Sequence, residues 1–115
     1  MASVLKTLGK LDKAIEAYKK ALSIQPDLTE AHYNMGNALQ EQGKLDEAID
    51  AYKRALELKP DYAEVHYNMG LVLNEKGNLE EAVAAFNEAI LYKSDYAEAY
   101  NNMGNTLKEQ DKLDE

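Results

Sequence analysis

The chain has 115 residues and an acidic composition, with 13 Lys and Arg against 21 Asp and Glu and a formal net charge of −8 at pH 7. Such a balance disfavours nucleic acid as a partner, because polyanions are bound through basic stripes. Cysteine is absent, which excludes disulfides and thiolate metal sites. No apolar run approaches the ~20 residues that span a bilayer, so we expect one cytoplasmic domain that contacts no membrane.

A short motif recurs every 34 residues along the chain. It reads His-Tyr-Asn-Met-Gly at 32–36 and again at 66–70, and Tyr-Asn-Asn-Met-Gly at 100–104. An internal period of this size is typical of stacked helix pairs, in which no unit buries its own apolar face without its neighbours. The sequence therefore predicts an all-α repeat array.

The helices follow from spacing and from stop signals. In chain order we predict helices at 11–24, 29–42, 45–58, 63–76, 79–92 and 97–110. The helices that begin at 29, 63 and 97 are the opening helices of a unit, and the other three are second helices. Gly43 and Gly77 follow opening helices, and Pro26 and Pro60 follow second helices, as expected for helix ends. Asp111 occupies the third glycine position, where we expect the last opening helix to end.

The residues within one unit resemble the tetratricopeptide repeat. Residues 29–62 carry His32, Met35, Gly36, Leu39, Ala48, Tyr52, Ala55 and Pro60 in that family's pattern, and residues 63–96 repeat it with Ser94 in place of the proline. The resemblance implies a right-handed superhelical solenoid of antiparallel helix pairs. Its single array would comprise a partial repeat at 1–28, full repeats at 29–62 and 63–96, and a partial repeat at 97–115.

Three glycines recur inside the opening helices, at Gly36, Gly70 and Gly104. Glycine within a helix costs about 0.5–1 kcal/mol relative to alanine, so these positions need another reason. We expect close packing of the paired helices, with the small residues Ala48 and Ala82 opposite.

Other residues are predicted to have structural roles only. We expect His32 and His66 to pack against the paired helix, and Asp27, Asp61 and Asp95 to cap the helices that follow them. The predicted core comprises Ala38, Leu39, Leu45, Ile49, Leu56 and Leu58, with Leu73, Leu79, Val83 and Ile90 as counterparts.

A stripe of mostly polar residues runs along each opening helix at helical spacing. In the tetratricopeptide family this face lines the concave groove where ligands bind, so the resemblance implies a peptide-binding site here. The polar stripe, as we define it, comprises Glu30, Tyr33, Asn34, Asn37, Glu41, Glu64, Tyr67, Asn68, Leu71, Asn74, Glu98, Asn101, Asn102, Asn105 and Lys108.

The asparagines Asn34, Asn68 and Asn102 form a ladder similar to that in the repeat domain of O-linked N-acetylglucosamine transferase. A side-chain amide both donates and accepts, so such a ladder can hold a peptide backbone; alternatively, duplication copied the residues without a use. The surrounding glutamates predict a Lys- or Arg-rich extended ligand, with Tyr33 and Tyr67 supplying apolar and cation–π contact. The alternative is a solvated acidic face.

Chaperone-binding members of the family clamp a terminal carboxylate with cations, but the matching positions here hold Tyr33, Glu98 and Asn102. An acidic tail is therefore disfavoured as a ligand. No catalytic, phosphate-loop or metal-ligand spacing occurs, so we predict no enzyme activity, cofactor or metal. The chain could also be the substrate-recognition part of a larger enzyme.

A third interpretation is self-assembly through the ends of the array. The last opening helix carries Ala99, Met103 and Leu107, and the sequence provides no second helix to cover them. An uncovered apolar face in a repeat array binds a partner. Copies of the chain could therefore stack end to end or exchange terminal helices.

Overall fold

The computed structural model describes residues 2–114, and the side chains of residues 7–113. The described chain is helical throughout, apart from short connections. Its elements are α1 (Ala2–Ile24), α2 (Thr29–Glu41), α3 (Leu45–Leu58), α4 (Ala63–Glu75), α5 (Leu79–Tyr92) and α6 (Ala97–Asp114). The predicted all-α class is therefore confirmed.

The helices belong to two compact units. The first unit, up to Lys59, contains α1, α2 and α3, and α2 packs against both of the others. The second unit, from Pro60, contains α4, α5 and α6; α5 packs against α4 and α6, and α4 also touches α6. Each unit thus buries its apolar residues between an opening helix and its helical neighbours.

The four internal helices begin where the sequence predicts and end within one residue of the predicted position. The turns after α2 and α4 are closed by Gly43 and Gly77, whose φ angles are 78° and 84°. Only glycine adopts this left-handed conformation without strain. In the first turn, Lys44 N donates to Leu39 O at 2.9 Å and Gly43 N to Gln40 O at 2.9 Å, so the last carbonyls of α2 are satisfied as in other glycine-ended helices.

The two terminal helices differ from the prediction. Helix α1 runs without a break from Ala2 to Ile24, through Gly9, whereas we predicted a helix at 11–24 only. Helix α6 was predicted to end just before Asp111, but it continues to Asp114. Asp111 has a β-carbon and so disfavours the left-handed turn that Gly43 and Gly77 adopt. At Gly9 the preceding segment is only about two turns long, and a continuous helix satisfies more backbone groups than a turn would.

The predicted caps of Asp27 and Asp61 are wrong. The N-cap residues of α2 and α4 are Leu28 and Tyr62, and neither helix has a side-chain cap hydrogen bond. Asp27 and Asp61 lie one residue too early for that role.

The connections are held instead by the two histidines. His32 Nε2 lies 3.0 Å from Pro26 O and His66 Nε2 lies 2.9 Å from Pro60 O. A carbonyl only accepts, so Nε2–H donates in both. The His66 ring also stacks on Tyr92, with centroids 5.6 Å apart. His66 therefore packs against the paired helix as the sequence predicts, and both histidines hold the connection before their own helix.

Each complete helix pair packs an aromatic ring over the glycine of its opening helix. A β-carbon placed at Gly36 would lie 2.5 Å from Cε1 of Tyr52, and one placed at Gly70 would lie 2.6 Å from Cε1 of Phe86. The prediction of close approach is thus confirmed. The atoms nearest to the glycines belong to these rings, and the small residues Ala48 and Ala82 are fully buried.

Burial differs from the prediction at several positions. Leu45, Leu56, Val83 and Ile90, predicted to be core residues, are half-buried. Leu58, predicted to be buried, is 43% exposed at the end of α3. Ala99, predicted to be uncovered, has no exposed surface, because α6 packs against α5. Leu107 is 47% exposed, as the prediction of an uncovered face requires.

Alanine substitution at Gly36 and at Gly104 should change stability in opposite directions. At Gly36 the new methyl group would overlap the Tyr52 ring, so we expect a loss of about 1–3 kcal/mol. At Gly104 a β-carbon would meet no atom within 4 Å, so the gain in helix propensity should stabilise the fold by about 0.5–1 kcal/mol. Urea unfolding at low protein concentration measures both changes, and equal effects at the two positions would contradict the packing described.

Candidate functional site

The polar stripe remains accessible to solvent along its whole described length. None of its fifteen residues is fully buried. The exposed members are Glu30, Glu41, Glu98, Asn101, Asn105 and Lys108, and the other nine are half-buried. Within the first unit the stripe lies on α2, and within the second unit it lies on α4 and α6.

In the second unit, side-chain hydrogen bonds join the stripe residues of α4 to α6. Asn102 Nδ2 donates to Tyr67 Oη at 2.9 Å and to the Glu98 backbone oxygen at 3.0 Å. One turn further along α6, Thr106 Oγ1 donates to Asn74 Oδ1 at 2.9 Å. Thr106 is 1% exposed and is the buried polar residue of this joint. The two helices therefore present one continuous surface.

Tyr67 lies at the centre of that surface and connects it to the core. Its ring centroid is 4.9 Å from that of Tyr96 and 5.9 Å from that of Phe86. Burial raises the pKa of the Tyr67 hydroxyl and the nearby Glu98 carboxylate raises it further, while the hydrogen bond from Asn102 lowers it. The Glu98 carboxylate therefore disfavours a negative charge on the Tyr67 hydroxyl.

In the first unit a core tyrosine reaches the stripe. Tyr52 Oη lies 2.6 Å from Asn37 Oδ1, to which it donates, and 3.0 Å from Gln40 Oε1. The Tyr33 ring packs on the Tyr52 ring, with centroids 6.1 Å apart. Burial raises the pKa of Tyr52 well above the ordinary range, and the charges of Tyr33 and Glu41 add to the rise.

The sequence pattern did not predict the hydrogen bond from Tyr52 to Asn37. The repeats do contain a sign of this hydrogen bond. In the next repeat, 34 residues further along, Phe86 replaces Tyr52 and Leu71 replaces Asn37. In that repeat the phenylalanine ring has no hydroxyl to donate, and the leucine on the stripe has no atom to accept. Asn37 is therefore partly explained by folding, although its position on the stripe suggests ligand contact.

A second concavity lies in the first unit, away from the stripe. It is an open cleft of about 350 Å³, and no stripe residue lines it. Its lining carries charges of both signs, with Lys19 and Arg54 facing Glu47 and Asp50 around His32, Met35, Leu39 and Ala51. Among the described residues, no group of three or more acidic or histidine side chains could hold a metal ion. Within the same part of the chain, no helix is long and apolar enough to cross a membrane.

The period, the helix pairs and the glycine packing are those of a known family. The model of the TPR repeat family matches residues 2–43, 36–74 and 70–111. The chain therefore belongs to the TPR repeat family, an all-α helical-repeat class whose members are scaffolds for protein interaction. A comparison with curated proteins gives no match.

Solved structures of similar fold agree with this assignment. A crystal structure of MamA is 29% identical, with a TM-score of 0.86, and the match covers 95% of this chain and 64% of that one. A second MamA structure is 32% identical, with a TM-score of 0.82 and coverage of 85% and 54%. This chain thus spans between 54% and 64% of these two MamA chains.

Two further solved structures are similar: one is a complex with a peptide, and the other is an enzyme. The first TPR of Spaghetti (RPAP3), bound to the HSP90 peptide SRMEEVD, is 22% identical, with a TM-score of 0.86 and coverage of 89% and 81%. An O-GlcNAc transferase mutant from Thermobaculum terrenum is 28% identical, with a TM-score of 0.76 and coverage of 92% and 22%. At 22% identity, the likeness to the RPAP3 domain shows the fold alone.

Replacing Tyr52 and Asn37 together by the residues of the next repeat, Phe and Leu, should change the free energy of unfolding little. Tyr52→Phe alone leaves Asn37 without its hydroxyl donor, so we expect a loss of about 0.5–1.5 kcal/mol. The double variant Tyr52→Phe, Asn37→Leu reproduces Phe86 and Leu71 and should recover most of that loss. A double-mutant cycle by urea unfolding measures the coupling; strictly additive effects would show that the two side chains do not act together.

The raised pKa of Tyr52 predicts a loss of stability in alkali. An unfolded tyrosine titrates near pH 10, so the protonated, folded form is fully favoured below that pH. Above it, stability falls by up to ~1.36 kcal/mol per pH unit, because the unfolded state releases the proton first. Tyr52→Phe should remove this part of the pH dependence. The test is to measure the free energy of unfolding of both proteins at several pH values between about pH 8 and 11.5. If it changes with pH in the same way for both, the prediction is wrong.

Proposed function

We propose that the chain is a protein-interaction module whose polar stripe holds an extended, Lys- or Arg-rich segment of a partner protein. The observation that carries the proposal is the surface of α4 and α6. There Glu64 and Glu98 flank the hydrogen-bonded pair of Asn102 and Tyr67, and Lys108 is the sole cation assigned to the stripe. Accessible carboxylates beside half-buried amides and rings suit a cationic peptide.

Electrostatics supports a cationic ligand. In the first unit the stripe adds the exposed carboxylates of Glu30 and Glu41, both on α2. In the second unit Glu98 raises the pKa of Tyr67, which means that its field already penalises a nearby negative charge. The same field favours a lysine or arginine side chain brought to that place.

The tyrosines and asparagines provide contact that does not depend on ligand charge. Tyr33 and Tyr67 are half-buried, so each keeps part of a ring for apolar and cation–π contact. Asn34 is also half-buried, and its side-chain amide can both donate to and accept from a peptide backbone. In Asn102 the two bonds described use Nδ2, and the Oδ1 acceptor takes part in neither, so it can accept from a peptide N–H.

The ligand chemistry proposed here differs from that of the RPAP3 complex. The peptide in that complex, SRMEEVD, ends in acidic residues, and such an end would meet Glu98 on this stripe. This chain is also similar to part of an O-GlcNAc transferase. If the chain is part of a larger enzyme, the stripe would hold the substrate protein rather than take part in the chemistry.

Peptide titration tests the charge preference. We expect a labelled extended peptide of alternating Lys and Ala to bind at least about tenfold more tightly than one with Glu in place of Lys. Raising salt from about 0.05 M to 0.5 M should weaken the complex, because exposed charges are screened. The double variant Glu64→Gln, Glu98→Gln should have the same effect as salt, whereas Glu81→Gln, Glu88→Gln on α5 is the matched control.

The asparagines are tested in the same assay. Asn34→Ala and Asn102→Ala should each lower affinity several-fold, since a net hydrogen bond is worth about 0.5–1.5 kcal/mol. Asn87→Ala is the control, because Asn87 is exposed on α5 and outside the stripe. Equal affinity for the two peptides at low salt, or equal effects of the stripe and control variants, would overturn the proposal.

A further inference from the structure

Leu71 is the only aliphatic residue among the fifteen that define the polar stripe. It is half-buried on α4, so part of its side chain stays accessible to a ligand. Asparagine occupies the corresponding position in the other two opening helices, as Asn37 in α2 and as Asn105 in α6. The stripe therefore carries an aliphatic side chain at one place only, in the second unit.

Two hydrogen bonds between α4 and α6 lie on either side of Leu71. Tyr67 and Asn74 lie four residues before it and three residues after it, so the three side chains share one face of α4. Tyr67 Oη accepts from Asn102 Nδ2 at 2.9 Å. Asn74 Oδ1 accepts from Thr106 Oγ1, also at 2.9 Å. Leu71 is thus an apolar point between two pairs of polar groups that already bond to each other.

The equivalent position in the first unit is used differently. Asn37 Oδ1 accepts from the Tyr52 hydroxyl at 2.6 Å, so the amide joins the stripe to the core. Leu71 has no such bond to make, because the ring packed on α4 at Gly70 is that of Phe86. Folding accounts for the asparagine of the first unit, whereas the accessible part of Leu71 leaves water only when a ligand covers it.

A carboxylate acts one helical turn away from Leu71. Burial and then the charge of Glu98 raise the pKa of the Tyr67 hydroxyl, so Glu98 lies close to that hydroxyl. Tyr67 and Leu71 are four residues apart, which is about 6 Å along the axis of α4. Alternate side chains of an extended peptide point to the same side and are about 6.6 Å apart. One ligand residue can therefore lie beside Glu98 while the next but one lies on Leu71.

We infer that Leu71 is an apolar subsite of the polar stripe, which binds an aliphatic side chain two residues away from a lysine or arginine held beside Glu98. The inference rests on the proposed function and narrows the ligand to an extended segment with this spacing of basic and aliphatic residues. Contact between the two aliphatic side chains removes apolar surface from water. Unlike the attraction between charges, this contribution is not screened by salt.

A set of labelled peptides tests the inference on the whole chain. The reference peptide, Ala-Lys-Ala-Leu-Ala-Lys-Ala, has the same pattern in both chain directions. A second peptide has Gln in place of Leu and keeps the charge. A third, Ala-Lys-Leu-Ala-Ala-Lys-Ala, keeps the composition but turns Leu to the side opposite the lysines. By fluorescence anisotropy, we expect the reference to bind at least about fivefold more tightly than either, and this ratio should persist at about 0.5 M salt.

Variants at position 71 assign the preference to Leu71. Leu71→Asn reproduces the residue found at positions 37 and 105, so it should fold, as circular dichroism would show. It should abolish the preference for Leu over Gln and keep the preference for Lys over Glu. Leu71→Met keeps an apolar side chain and should keep both preferences. Leu91→Asn is the matched control, because Leu91 is 68% exposed on α5 and lies outside the stripe.

Three outcomes would overturn the inference. Wild type could bind the reference and the Gln peptide equally, it could bind the reference and the shifted peptide equally, or Leu71→Asn could retain the preference for Leu. If one of these occurs while the reference still binds more tightly than its counterpart with Glu in place of Lys, the proposed function stands without the apolar subsite. If the Lys and Glu peptides bind equally, the proposed function itself is wrong, and the inference that rests on it is wrong as well.

Discussion

The contact on which this structure depends is an aromatic ring packed directly on a glycine. Tyr52 covers Gly36 and Phe86 covers Gly70, and a single added methyl group would overlap either ring. The contact sets the separation of the two helices and also removes a large ring from water in a unit too small to have a central core. The half-buried tyrosines of the stripe, Tyr33 and Tyr67, pack on these rings.

The same rings connect the core to the stripe, in two chemically different ways. Tyr52 carries a hydroxyl that must be satisfied, and it donates to Asn37 on the stripe. Phe86 carries none, and its neighbouring stripe residue Tyr67 instead accepts from Asn102 on the next opening helix. A polar residue on a repeat surface can therefore serve folding and recognition together. Its recurrence alone does not separate the two roles.

The sequence predicted the fold more completely than it predicted the site. Helical spacing and glycine turns set the internal helices to within one residue, because each rests on local hydrogen bonding that recurs in phase. The start of α1 and the end of α6 were predicted wrongly. For α6 the reason is that Asp111 was assigned a turn by analogy with Gly77, whose left-handed conformation an aspartate disfavours. The link between Tyr52 and Asn37 was missed because it depends on how far a ring reaches through the core, which spacing does not specify. The stripe itself stays a prediction about binding, since its ligand lies outside the chain.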